Sequence, residues 1–208
     1  MSRCGKLYVI AAPSGTGKTS LVKALVDSVN DITVSISYTT RPKRPNEVDT
    51  VNYHFVTESV FTEMIAHQDF LEYATVFGHL YGTSRSWVEK TLNQGLDVIL
   101  EIDWQGCRQI LSLLPETISI FILPPSLADL ADRLRKRNQD HPDVISKRLL
   151  DVRETISHIH EFKYLVINAD FDHALQDLIT IIKAHRLEGK NQAIKFAKLL
   201  CELQEDWS

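Results

Sequence analysis

A chain of 208 residues, 44% hydrophobic and 24% charged, describes a soluble globular unit with a sizeable core and room for inserted lobes, and excludes disorder, collagen and a disulfide-stapled peptide. Lys and Arg total 23 against 27 Asp and Glu, a formal charge of −4, so no global positive field draws the chain to nucleic acid or anionic lipid and any phosphate chemistry must use local basic clusters. Cys4, Cys107 and Cys201 are odd in number, far apart and without CxxC spacing, which reads as free thiols in a reducing, cytoplasmic setting.

Leu7-Tyr8-Val9-Ile10-Ala11 is a short apolar run with a β-branched centre, a buried strand rather than a membrane span. Behind it Ala12-Pro13-Ser14-Gly15-Thr16-Gly17-Lys18-Thr19 is a Walker A loop in all but its first glycine. Small residues there let consecutive N–H groups point at phosphate oxygens, Lys18 supplies a point charge for the β and γ phosphates, and the Thr19 hydroxyl can ligate Mg²⁺. From Thr19 a helical period follows in Leu21, Val22, Leu25, Val26 and Val29, which completes the opening of a βαβ unit.

Further strands are predicted at 34–37, 98–102, 118–123 and 165–167, with helices near 84–94, 104–114, 126–137 and 171–185. Near-continuous apolar strands between helices imply a parallel sheet covered on both faces. Ser84 and Ser126 are the expected caps of two of these helices, the second with Asp129 three residues on. The strand ending Glu101-Ile102-Asp103 brings two carboxylates to one face. In phosphoryl-transfer proteins such an acid steadies magnesium through water; Asp103 is given that indirect role beside Thr19.

Between Tyr38 and Phe77 the pattern is shorter, more polar and aromatic, as an insert with its own small core would be. Arg41, Lys43 and Arg44 in a proline-stiffened loop suit a dianionic phosphate. With Tyr53, Glu72, Tyr81, Thr83 and Ser84 in the same stretch, the insert holds what a purine monophosphate needs: cations and phenols for its phosphate, an aromatic face, and an acid with a hydroxyl for the base edge.

APSGTGKT, SISYTTRPKRPNE, FLEYATVFGHLYGTS, VILEIDWQG, RLRKRNQD and YLVINADFD, in order from Leu7 to about Leu187, together resemble the bacterial guanylate kinases. The resemblance implies an α/β P-loop kinase with a parallel sheet flanked by helices, an inserted GMP-binding lobe and a short helical lid, transferring the γ-phosphoryl of MgATP to GMP. It divides the chain into a core (1–36, 88–125 and 150–187), a GMP lobe (37–87), a lid (126–149) and a C-terminal helical tail (188–208). ATP falls to residues 12–19 and Asn168. GMP falls to Ser37, Arg41, Arg44, Tyr53, Glu72, Tyr81, Thr83 and Asp103, with Arg41, Arg44, Tyr53 and Tyr81 on the phosphate and Glu72 and Asp103 facing the base. Lys18, Arg41, Arg133, Arg137 and Arg148 are the implied catalytic residues, the last three from the lid. The chain departs from the family pattern at Asn138, where glycine is usual, and at Ala169, where an acid is.

A carboxylate and a hydroxyl satisfy the N1–H and N2–H₂ donors of guanine, whereas adenine offers the acceptor N1. Two rivals are a kinase of another nucleoside monophosphate and a guanylate-kinase-like binding module; such modules usually lack a competent phosphate loop, and Gly15, Gly17, Lys18 and Thr19 are all present. The partners expected are ATP and GMP, with no nucleic acid or membrane. Ile194, Ala197, Leu200 and Cys201 make an amphipathic tail, for which docking on the body and docking on a second copy as a homo-oligomer both stay open.

Overall fold

The structure is a computed structural model, which describes residues 4–136 and 152–205, without the side chains of 134–136 and 205. Its first sheet has five parallel strands in the order β2-β7-β1-β8-β9: β2 (Ile32–Val34), β7 (Asp97–Leu100), β1 (Leu7–Ala11), β8 (Ile118–Leu123) and β9 (Tyr164–Ile167). The period of two sends Tyr8 and Ile10 of β1 to one face and Leu7, Val9 and Ala11 to the other. The first pair joins Leu21, Val22 and Leu25 of α1 (Lys18–Ser28) and Leu178 and Ile182 of α7 (Phe171–Arg186). The second set joins Val88 of α3 (Arg85–Asn93) and Cys107 and Ile110 of α4 (Trp104–Leu113). Burial on both faces is why all five residues of β1 are apolar and enclosed.

Strand β1 is flanked by β7 on one side and β8 on the other, so the sheet order reverses at its carboxyl end. Doubly wound sheets open a ligand crevice at such a switch point, and residues 12–17 run through it into α1. Strand β2 falls at Ile32–Val34, two residues ahead of the predicted 34–37. The whole stretch from Ile32 alternates, and the pairing of Ile32, Thr33 and Val34 with Asp97, Val98 and Ile99 selects the ladder.

The second sheet, in the order β4-β3-β6-β5, comprises β3 (Tyr38–Thr39), β4 (His54–Phe55), β5 (Phe70–Val76) and β6 (His79–Ser84). Helix α2 (Glu58–Ala66), capped by Thr57, covers one face through Phe61, which stacks on Phe70 at 4.4 Å between ring centres. The other face meets α4: Gln109 exchanges hydrogen bonds with the Tyr73 backbone at 2.7 and 3.2 Å, and Leu71 enters the main core.

A bulge interrupts the β5–β6 pairing, Phe70 opposing Ser84 but Glu72 opposing Thr83. One unpaired residue reverses the alternation of the pleat. Phe70 therefore packs over Gly82 toward α2, while Glu72, two residues on, turns to the opposite face and lies against Gly106 of α4.

Ser84 caps α3 by accepting from the Trp87 N–H, and Ser126 with Asp129 caps α5 (Leu127–Lys136). Residues 152–157 form α6. The last core helix is tied back by Arg186, which donates to the fully buried Asp97 carboxylate at 2.8 Å. Beyond it α8 (Gly189–Lys195) and α9 (Ala197–Glu205) leave Phe196, Leu199, Leu200 and Leu203 exposed. Among the described residues no helix is long and apolar enough to cross a membrane.

Candidate active site

The loop from Ala12 to Gly17 is shaped by two positive φ angles, 91° at Gly15 and 90° at Gly17, and by the buried Thr16, whose hydroxyl donates to the Pro13 carbonyl at 2.7 Å. Helix α1 begins on the turn this makes, so the N–H groups of its first turn and its dipole face the loop. Asn168, buried at the end of β9, donates from Nδ2 to the Thr16 carbonyl at 2.6 Å. Arg133 of α5 donates to that carbonyl at 3.4 Å and to the Asn168 carbonyl at 3.2 Å. Asn168, one of the residues expected on ATP, braces the loop. Arg137 and Arg148 lie outside the described residues.

Because Gly17 combines a left-handed φ with an approach of 2.8 Å between a built Cβ and Asn168 Nδ2, a side chain there strains the backbone and displaces the brace. Gly17→Ala is expected to cost about 1–2 kcal/mol of stability and to lower kcat/KM for ATP by about tenfold or more, since misplaced positioning groups act through geometry. Thermal unfolding and steady-state kinetics measure both; wild-type values in both would remove the constraint.

Lys18 Nζ donates to the Ile102 carbonyl at 3.3 Å, just past the end of β7. Loss of solvent lowers its pKa from the usual lysine value, and the nearby Glu101 and Asp103 partly offset that. The two acids have separate positions. Glu101 accepts a hydrogen bond from Thr19 Oγ1 at 2.9 Å. Asp103 caps α4, accepting from the Gly106 N–H at 2.9 Å, and desolvation raises its pKa. Sequence reasoning gave the indirect metal role to Asp103 and passed over Glu101, although the pair of carboxylates was in view; which of them meets Thr19 depends on β7 ending at Leu100.

On the inserted sheet, Glu72 is buried and accepts from the Thr83 hydroxyl at 2.6 Å. Its Oε2 occupies space that a side chain at position 106 would need, 2.5 Å from a built Cβ. Gly106, unremarked in the sequence, therefore lets the carboxyl approach α4; its only signal was the glycine following the acidic strand end. Burial pushes the Glu72 pKa up to about 7, the Thr83 bond opposing and Asp103 adding to the shift.

The phosphate candidates cluster at the other end of this sheet. Arg41 lies 5.4 Å from the Tyr53 ring centre, and the Tyr53 and Tyr81 rings meet edge to face at 5.9 Å. Desolvation pushes the Tyr53 hydroxyl up to about 12, keeping it a neutral donor. Arg41 is held by Glu47, a residue without a role in the sequence analysis, through bonds of 2.7 and 3.0 Å. The Arg44 side chain is exposed, and Ser37 joins the sheet by accepting from the His54 N–H at 2.9 Å.

A phosphate loop at the switch point of a parallel sheet, beside an inserted sheet with a buried acid, defines a P-loop kinase of small substrates. The guanylate kinase family model matches residues 4–185. The chain is 56% identical over 199 residues to a guanylate kinase of Pseudomonas fluorescens strain Pf0-1, covering 96% of this chain and 97% of the relative. It is 52% identical over 201 residues to one of Vibrio cholerae, with the same coverage. A crystal structure of guanylate kinase from Anaplasma phagocytophilum superposes with a TM-score of 0.77 at 27% identity, over 90% of this chain and 89% of the other. The chain belongs to the guanylate kinase family, ATP:GMP phosphotransferases that convert GMP to GDP.

Proposed function

We propose that in this chain residues 12–19, with Asn168, hold ATP, and that the lobe 37–87 holds GMP between Arg41, Arg44, Tyr53 and Tyr81 at its phosphate and Glu72, Thr83 and Asp103 at its base, with Ser37 beside them. The observation that carries the reading is the buried Glu72–Thr83 pair against Gly106. A buried acid with one oxygen on a hydroxyl has acceptor capacity left for the N1–H and N2–H₂ edge of guanine. Adenine would turn an acceptor toward it and leave it unpaired.

The attacking GMP phosphate oxygen is anionic near neutral pH, so transfer needs no side-chain base. Lys18 and the lid arginines Arg133, Arg137 and Arg148 neutralise charge that spreads over the γ-phosphoryl oxygens, with Arg41 orienting the acceptor. The reaction is in line, without a covalent enzyme intermediate, in the core–lobe–lid division given above. Mg²⁺ suits the hard oxygens of Thr19 and Glu101, which already lie 2.9 Å apart, with Asp103 indirect; when bound it neutralises charge on the β and γ phosphates. The setting is the cytoplasm, with free nucleotides as partners.

The test is an acceptor panel in a coupled ADP assay with GMP, AMP, UMP and dTMP. A kcat/KM for GMP at least about 10³-fold above that for AMP is expected from a site built on hydrogen-bond donors of the substrate. Comparable turnover of AMP would remove Glu72 and Thr83 from the base pocket.

A further inference from the structure

Glu47 binds both sides of the arginine loop. Its Oε1 accepts from Arg41 Nη2 at 2.7 Å and its Oε2 from Arg41 Nη1 at 3.0 Å, while Oε2 also accepts the Arg44 backbone N–H at 2.8 Å. Arg41 Nη1 spends its second hydrogen on the Pro42 carbonyl at 2.9 Å. A guanidinium has five N–H donors. Three are thus committed; the Tyr81 hydroxyl is a further hydrogen-bonding partner of the guanidinium, and the two donors that Glu47 and Pro42 do not take, Nε–H and one Nη2–H, share a single edge, the spacing a phosphate accepts bidentately. The side chains of Arg41 and Glu47 are both shielded, 13% and 15% exposed, and the Tyr53 and Phe55 rings lie 5.4 and 5.7 Å from the guanidinium carbon.

From this geometry we infer that Glu47 is a positioning residue for the acceptor nucleotide: by taking the end edge of Arg41 and the Arg44 N–H on one carboxylate, it leaves the side edge of Arg41 as a pre-oriented fork for the nucleotide monophosphate. This rests on the reading of Arg41 as a phosphate ligand. Preorganisation matters because a free arginine loses rotamer freedom when it binds, and that loss is made in advance here. Glu47 itself carries a charge like that of the phosphate and gains nothing by touching it, so its effect must travel through Arg41.

Glu47→Gln keeps the shape and an acceptor for Arg44 but gives up the charge-assisted pair. Steady-state kinetics on the whole enzyme should show KM for GMP raised about tenfold or more, the equivalent of about 1.4 kcal/mol, with kcat and KM for ATP changed less than about threefold. Glu47→Asp, which retains the charge, should recover part of the loss, and it serves as the probe if the Gln variant fails to fold by thermal unfolding. In a double-mutant cycle, Arg41→Ala combined with Glu47→Gln should be no worse for GMP than Arg41→Ala alone. An unchanged KM for GMP in Glu47→Gln, or additive effects in the double variant, overturns the inference. A lowered KM overturns it too, showing instead that the carboxylate competes with phosphate for the fork. If Arg41→Ala leaves KM for GMP unchanged, it is the phosphate assignment of Arg41 that fails.

Discussion

Lys18→Met should lower kcat by about 10³ or more, about 4 kcal/mol of transition-state stabilisation, while the protein stays folded. The ammonium group sits at the mouth of the phosphate loop, bonded to the Ile102 carbonyl and flanked by Glu101 and Asp103. Methionine reproduces the length and stem of lysine without the charge. In the nucleotide-free protein the change removes a desolvated cation from two nearby acids. The saving in desolvation and the loss of attraction oppose each other, and the melting temperature should move by less than about 4 °C. During phosphoryl transfer nothing offsets the loss, because charge builds on the γ-phosphoryl oxygens where the ammonium is missing. A coupled ADP assay alongside calorimetric unfolding separates the two; turnover near the wild-type rate would remove Lys18 from the chemistry.

Glu72→Gln should raise KM for GMP by about 10²-fold while moving KM for ATP by no more than about twofold, since it replaces charge-assisted acceptors with an amide whose N–H₂ confronts the donor edge of guanine. The same residue sets a pH dependence. With its pKa near 7 in the free protein, the carboxyl binds a proton below that value, and guanine's donors favour the ionised form. GMP binding therefore releases a proton at and below pH 7. Between about pH 7 and pH 6 affinity should fall by up to tenfold per unit, a slope the Gln variant lacks; below about pH 6 protonation of the nucleotide's own phosphate adds a slope common to both. Stability runs the other way. The folded pKa lies above the ordinary glutamate value of 4.5, so this group's contribution to stability is full below pH 4.5 and is lost as pH rises through about 7. Glu72→Gln should then melt higher than wild type at pH 8 and not at pH 4.5. Calorimetric GMP titrations and melting curves across this range give both readings; a wild-type affinity independent of pH would place the guanine edge elsewhere.

The parts of the fold governed by local period were legible before any coordinates. Strand β1, the glycine turn and α1 follow from apolar spacing and from the demand of a phosphate cradle for small residues, and continuous apolar strands announced a sheet covered on both sides. What escaped depends on pairing across the sheet. The stretch from Ile32 to Ser37 alternates throughout, so only its ladder with β7 sets where β2 lies. Glu101 and Asp103 are two apart, and their different partners follow from the chain leaving the strand at Leu100. Glu47 drew no role because its partner Arg41 is six residues away in an irregular segment with no period to read. Gly106 had no visible purpose until Glu72 was seen against it.

The single unpaired residue between Phe70 and Glu72 carries a wider consequence. In an unbroken ribbon these neighbours-but-one would share a side, and the aromatic anchor and the buried acid would crowd the same face. The irregularity lets one short hairpin serve two masters, oil on its back and, on its front, the acid proposed to read the base. Strand register and the placing of that acid are thereby coupled: one residue added to β6 between Thr83 and Ser84 would pair off Leu71, restore the plain alternation and turn Glu72 to the side of Phe70.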